Sequence, residues 1–222
     1  MDLKVLYEDN HLIAVFKPAG ILTQADKTNE LSLMDEVKEY LRKKHQKPGN
    51  VFLGLLHRLD RPVAGIVLLA KTSKGASRLS EQIRNHQVLK TYQAVVLGQP
   101  KNAKATLIDY LKKDKDENKV VLSKEPKKGF AKAELEYETI DSNNRYSLLK
   151  INLKTGKPHQ IRSQLASIGC PIVGDVKYGA KTALADKSIM LWATDLAFKL
   201  ATKPDVCKVS IAIPEEWKNM LK

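Results

Sequence analysis

Cysteine is scarce in this chain: 222 residues carry only Cys170 and Cys207, far apart and outside any CxxC spacing. That excludes a disulfide framework and makes a zinc site an unattractive reading, leaving two small side chains suited to burial. No apolar run approaches the ~18 residues that a membrane-spanning helix needs. The start, Met1-Asp2-Leu3-Lys4, lacks the basic-then-apolar layout of a secretory leader, so a cytoplasmic location is the expectation. Internal repeats, low-complexity tracts, metal-ligand clusters and glycine-rich phosphate loops are also missing, which argues against a solenoid, a metalloenzyme or a nucleotide-dependent enzyme.

Acidic residues are outnumbered 25 to 38 by Lys and Arg, a net charge of +13. Such a balance suits a polyanionic partner, nucleic acid above all. It suits a lysine-rich solvated surface equally well, and charge alone does not choose between them. The 43% hydrophobic content supports a sizeable core, as one larger domain or two small lobes.

Hydrophobic periodicity gives the outline. Val5 to Tyr7 and Leu12 to Phe16 read as short strands around an Asp9-Asn10 turn. Ser32-Leu33-Met34-Asp35 resembles a capping box, followed by a helix with Leu33, Val37 and Leu41 on one face. A second helix is predicted from about 74 to 85, with Ala76, Leu79 and Ile83 inward. Lys47-Pro48-Gly49-Asn50 reads as a loop. Ile66 to Ala70 reads as a buried strand, Val88 to Gly98 as another, and 131–139 alternates strictly before a turn and its partner at 145–153. Residues 159–168 suit a helix, Val206 to Ile213 a strand, and Pro214 opens a last short helix. The polar stretch Lys112 to Lys128 reads as an exposed hairpin or loop. The pattern is α+β, with a mainly antiparallel mixed sheet and flanking helices.

Two segments carry chemistry. His57-Arg58-Leu59-Asp60-Arg61-Pro62 sets one carboxylate between two arginines, on a turn docked to the Ile66–Ala70 strand. Neighbouring guanidiniums hold a carboxylate ionised even where water is excluded. Gly156-Lys157-Pro158-His159-Gln160-Ile161-Arg162 opens a short helix, and Gly169-Cys170-Pro171-Ile172-Val173-Gly174-Asp175 follows it. With Lys17-Pro18-Ala19-Gly20 and Lys90-Thr91-Tyr92, these motifs stand in the order and spacing of the RluA-type RNA pseudouridine synthases, and the chain resembles that family along nearly its whole length.

The resemblance implies a single catalytic domain over 1–222 with a central basic cleft and no separate N-terminal RNA-binding domain. It implies an isomerase that converts uridine to pseudouridine in structured rRNA or tRNA without cofactor or metal; a monomer is the default expectation. By the same likeness, Asp60 matches the catalytic aspartate, as nucleophile or base. Arg162 matches the arginine that pairs with it, and Tyr92 the tyrosine that stacks on the target uracil. Arg58 matches the residue that fills the space left by the flipped base, Ile161 packs on the flipped ring, and Lys90 and Lys157 contact RNA. His57 and His159 read as hydrogen-bonding residues rather than catalysts. Lys71, Lys74, Arg78, Arg84 and Lys154 are further candidates for the basic face. The chain departs from the pattern at Val63-Ala64, where Thr-Ser is common, at Lys157, where arginine is usual, and at Leu191-Trp192-Ala193, where Leu-His-Ala is frequent. A non-catalytic RNA-binding or ribosome-assembly factor on the same scaffold is the alternative. A two-carboxylate sugar hydrolase using Asp60 and Asp175 is a remote third.

Overall fold

The computed structural model describes residues 3–27, 29–46, 48–114 and 116–222. Met1, Asp2, Thr28, Lys47 at the head of the predicted loop and Lys115 within the polar stretch lie outside the described residues. In chain order the elements are β1 (Val5–Glu8), β2 (Leu12–Lys17), α1 (Leu33–Lys44), β3 (Gly54–Leu55), β4 (Ala64–Ala70), α2 (Ser73–Arg84), β5 (Leu89–Leu97), β6 (Lys104–Asp114), β7 (Lys119–Ser123), β8 (Ala131–Ser142), β9 (Tyr146–Leu153), α3 (Gln160–Ser167), β10 (Leu191–Lys199), β11 (Val206–Ser210) and α4 (Glu215–Asn219). The fold is α+β, and the ladders within each unit described below are antiparallel.

The chain forms two compact units, Met1–Val88 with Asp195–Ile211, and Leu89–Thr194 with Ala212–Lys222. In the first, β2 pairs with β1 and with β4, in a register running from Leu12 opposite Ala70 to Lys17 opposite Gly65. Every residue of β4 is buried, which accounts for its unbroken apolar sequence. Leu12, Ala14, Ile66, Leu68, Leu79, Phe198 and Val209 close one core. On α2 the buried positions are Gly75, Leu79 and Gln82, with Ala76 and Ile83 partly buried against the same core. Gln82 is tolerated there because both ends of its amide bond to the backbone of Lys199.

The capping box at α1 is formed as the sequence indicates. Ser32 Oγ accepts from Asp35 N–H, and Asp35 Oδ2 accepts from Ser32 N–H at 3.0 Å. Leu33, Val37 and Leu41 are the buried face. Replacing Ser32 with alanine is expected to lower stability by about 1–2 kcal/mol in urea unfolding. A loss within error would show that Asp35 caps alone.

In the second unit the strand order is β5-β9-β8-β6-β7. Ala133, Leu135 and Tyr137 point inward from β8, as its alternation requires. Besides the two-residue β3, two strands went unrecognised in the sequence. On β6 the alternation is inverted by Asp109, fully buried, beside exposed Ile108. On β10 only a loose pattern survives, and its residues are divided between the units after Thr194. The stretch from Lys112 is a hairpin, β6–β7, and Val120 and Ser123 on it are buried rather than solvated.

Candidate active site

In the first unit, Asp60 sits on a turn closed by Val63 N–H bonding to Asp60 C=O, just before β4. Three anchors fix this turn. Thr23 Oγ1 donates to Leu59 C=O at 2.9 Å and accepts from Leu59 N–H at 3.3 Å. His57 Nε2 accepts from Leu68 N–H at 3.0 Å, a structural use of the ring, since this nitrogen must be unprotonated to accept. The third anchor is Lys17, whose side chain is wholly buried. Its ammonium donates to Pro18 C=O (3.0 Å), Arg61 C=O (3.2 Å) and Val63 C=O (2.8 Å). The Lys17–Gly20 element is therefore the floor of the Asp60 turn, reinforced by Gly20 N–H to Arg61 C=O at 2.8 Å.

Arg61 does not serve as the second guanidinium beside Asp60 that its sequence position suggests. Its Nη1 and Nη2 clasp Glu30 at 3.1 and 2.6 Å, and its Nε donates to Gly20 C=O. Arg58 is exposed, two residues before half-buried Asp60. Lys71, a candidate for the basic face, is instead an internal ion-pair partner of Glu8 at 2.6 Å and also donates to Asp9 C=O.

Burial pushes the Lys17 ammonium down to about 7; Arg61 adds to the shift, and the Asp60 carboxylate opposes it. The three carbonyls match the three N–H groups of the charged form. The sign of the linkage follows. An unfolded lysine keeps its proton to about 10.4, so between about 7 and 10 the unfolded state binds more protons and stability rises with pH. We expect the unfolding free energy of the wild type, relative to Lys17→Met, to climb over that window by up to about 1.4 kcal/mol per pH unit. Urea titrations at pH 7, 8.5 and 10 measure it; a flat difference would show that Lys17 does not titrate there.

In the second unit, Tyr92 lies buried on β5 opposite Ile151 of β9. Helix α3 supplies buried Ile161 and Arg162. Arg162 Nε and Nη2 donate to the two oxygens of Asp175 at 2.7 and 2.8 Å, both side chains being buried. Sequence reading did not give Asp175 this part. A signal was present in its place within Gly174-Asp175, since a Cβ at Gly174, where φ is +86°, would meet Ser188 C=O at 2.8 Å. A closely packed turn thus delivers Asp175 to Arg162. The Arg162 guanidinium also lies over the Tyr178 ring at 5.1 Å. Tyr178 Oη accepts from Val120 N–H at 2.8 Å and lies 2.8 Å from His159 Nδ1. His159 adopts a left-handed conformation, φ 49°, at the head of α3. Gln160 places all its hydrogen-bonding capacity inside: its oxygen accepts from Thr155 Oγ1 and Lys157 N–H, and its nitrogen donates to Glu134 C=O and Gln164. Gln164 in turn bonds buried Asp109 at 2.6 Å, which explains the inverted β6 pattern. Lys157 is exposed, and Lys154 pairs with Glu136. Among the described residues no cluster of three or more His, Cys, Asp or Glu could hold a metal, and no helix is long and apolar enough to cross a membrane.

The placement is thus Arg58 and Asp60 on one turn of the first unit, and Lys90, Tyr92, Lys157, Ile161 and Arg162 on β5, α3 and the preceding loop of the second. Residues 11–167 match the sequence model of the RNA pseudouridylate synthases. This chain belongs to that family. The synthase is 34% identical to the tRNA pseudouridine synthase C of Haemophilus ducreyi, over 99% of this chain and 95% of that protein. It is 30% identical to the tRNA pseudouridine synthase C of Vibrio cholerae, over 99% and 94%. A ribosomal large subunit pseudouridine synthase C of Rickettsia felis is 34% identical over 80% of this chain and 56% of that protein. Its fold is shared with human RNA pseudouridylate synthase domain containing 4, with a TM-score of 0.81 at 22% identity over 98% of this chain and 91% of the other. The protein is an RNA pseudouridine synthase, an isomerase.

Proposed function

We propose that the synthase acts on structured RNA, with tRNA as the first substrate class to test and rRNA as the second, and that Asp60, Tyr92 and Arg162 serve one reaction on a flipped uridine. The relatives named for tRNA that cover nearly all of this chain support that order. The observation that carries the site assignment is the Asp60 turn itself: its backbone is fixed by buried Lys17 and Thr23 and docked through half-buried His57 on β4, beside an exposed arginine. Rigid support of this kind is what positions a reacting group.

In the proposed sequence Arg58 enters the RNA stack as the target base leaves it. Unstacking costs a few kcal/mol, part of which a planar guanidinium recovers by stacking. Tyr92 and Ile161 receive the uracil. Asp60, as nucleophile or base, promotes cleavage of the bond from N1 to C1′. The ring turns, C5 bonds to C1′, the C5 proton leaves to solvent and N1 gains a proton, so atoms balance with no external cofactor. Arg162 keeps negative charge on Asp60 favourable, and Lys90 and Lys157 attract the backbone. The two units work as one catalytic domain, in a monomer.

The test uses total tRNA tritiated at uracil C5, from cells lacking the enzyme, with label released to water as the readout. Wild-type release supports the reading. Tight, salt-dependent binding without release, on both tRNA and rRNA, would favour a binding factor. For Arg58→Ala, turnover is expected to fall about 10–100-fold on uridine embedded in a stem and less on single-stranded RNA. Equal rates to wild type on the stem would remove Arg58 from base flipping.

A further inference from the structure

Among the described residues, the buried or half-buried cations of this chain are partnered in a regular way. Lys17 has three carbonyls, Lys71 has Glu8 and Asp9, and Arg162 has Asp175. Lys90 departs from this. It lies on β5 two residues before Tyr92, on the same face by strand alternation. Burial alone holds its ammonium below the ordinary lysine range, with no charged neighbour acting on it. No ion pair or hydrogen bond involves Lys90 among the described residues. Desolvating a cation without a compensating partner is unfavourable, and structures retain such an arrangement where a ligand supplies the missing charge.

Gly156 shows where that ligand would sit. A Cβ built on it would stand 3.4 Å from Lys90 Nζ, an ordinary van der Waals distance, and its backbone is not left-handed. Neither strain nor tight packing calls for glycine at 156. What the missing side chain provides is open space directly before the ammonium. The Gly156 N–H has no acceptor among the described residues, while its neighbours Thr155 and Lys157 bond Glu134 and Gln160 through theirs. The Lys90 ammonium thus stands against the exposed Gly156 backbone, which exposed Lys157 follows in the chain.

We infer that Lys90 Nζ and Gly156 form the seat of a single RNA phosphodiester, held on the strand that carries Tyr92. The inference rests on the reading that RNA is the substrate. A phosphodiester carries the one negative charge that the lysine lacks, and its oxygens can accept from both donors. Because the ammonium is already stripped of much of its water, little further desolvation accompanies binding. Lysine acts here as a point charge on the phosphate.

The experiment measures binding of labelled total tRNA, from cells lacking the enzyme, across 50–300 mM KCl. Lys90→Met and Gly156→Ala are each made in an Asp60→Asn chain, so that turnover does not intervene. Lys90→Met is expected to weaken binding several-fold at 100 mM salt and to flatten the slope of log affinity against log salt by about one. Gly156→Ala, which leaves the charge but fills the seat, should weaken binding in the same direction. A third readout is the titration of isotope-labelled Lys90 by NMR in the Asp60→Asn chain, where added tRNA should move its pKa upward. An unchanged salt slope in Lys90→Met, or a Lys90 titration indifferent to tRNA, overturns the seat. Tritium release by the wild type is scored separately. Release with an unchanged slope removes the seat and keeps the isomerase; a flattened slope without release does the reverse.

Discussion

Asp60→Asn should reduce tritium release from C5-labelled tRNA by about a thousandfold or more, the scale on which loss of a reacting group is felt, while RNA affinity and unfolding free energy change little. The geometry supports this separation of effects. The turn around Asp60 is held through backbone groups: Leu59 by Thr23, Arg61 and Val63 by Lys17, and Gly20 N–H by Arg61 C=O. None of these bonds uses the Asp60 carboxylate, so the amide replacement keeps every one of them. One coupling does change. Asp60 opposes the downward shift of Lys17, so with asparagine at 60 the lysine should lose its proton at lower pH. Far-ultraviolet circular dichroism and urea titrations repeated at several pH values below 7 separate the fold from that effect. If Asp60→Asn keeps more than a few per cent of wild-type release, the carboxylate is not the reacting group.

Much of the frame of each unit was legible because it is local. The unbroken apolar run of β4, the Ser32 capping box and the alternation of β8 are each decided by neighbours within a few residues. The motif order exposed the family for the same reason. What stayed hidden depends on partners distant in sequence. Arg61 looks like a neighbour of Asp60, but its fork closes on Glu30, 31 residues upstream. Lys17 looks like a surface lysine after a strand, and only the fold surrounds it with carbonyls. Asp109 breaks the period of β6 because Gln164 and Lys124 meet it from other elements. The histidines were the easier case: His57 and His159 each proved to hold a hydrogen bond that fixes local backbone or ring position. Asp175 illustrates the limit best, since its sequence setting marks a tight turn but not the arginine that the turn serves.

That pair yields the second large effect. Arg162 and Asp175 are both buried and joined by two short hydrogen bonds. Removing Asp175 takes two charge-assisted bonds from a buried guanidinium, so Asp175→Ala is expected to destabilise the protein by about 3 kcal/mol. Desolvation makes the intact pair a weak stabiliser in itself, and an apolar replacement of both members is often neutral. The double variant Arg162→Met with Asp175→Leu should therefore regain most of the lost stability. Activity should not follow. If Arg162 maintains charge on Asp60, the double variant remains as inactive as Arg162→Met, at least about a hundredfold down in tritium release. Asp175→Asn separates the two functions further, because the amide can accept one of the two bonds while withdrawing the charge. Its stability should lie between wild type and Asp175→Ala, and its turnover should fall in kcat rather than KM if Asp175 acts through Arg162 on the reaction and not on RNA binding. Recovery of both stability and turnover in the double variant would mean that Arg162 is a packing element and that the charge on Asp60 is maintained in another way.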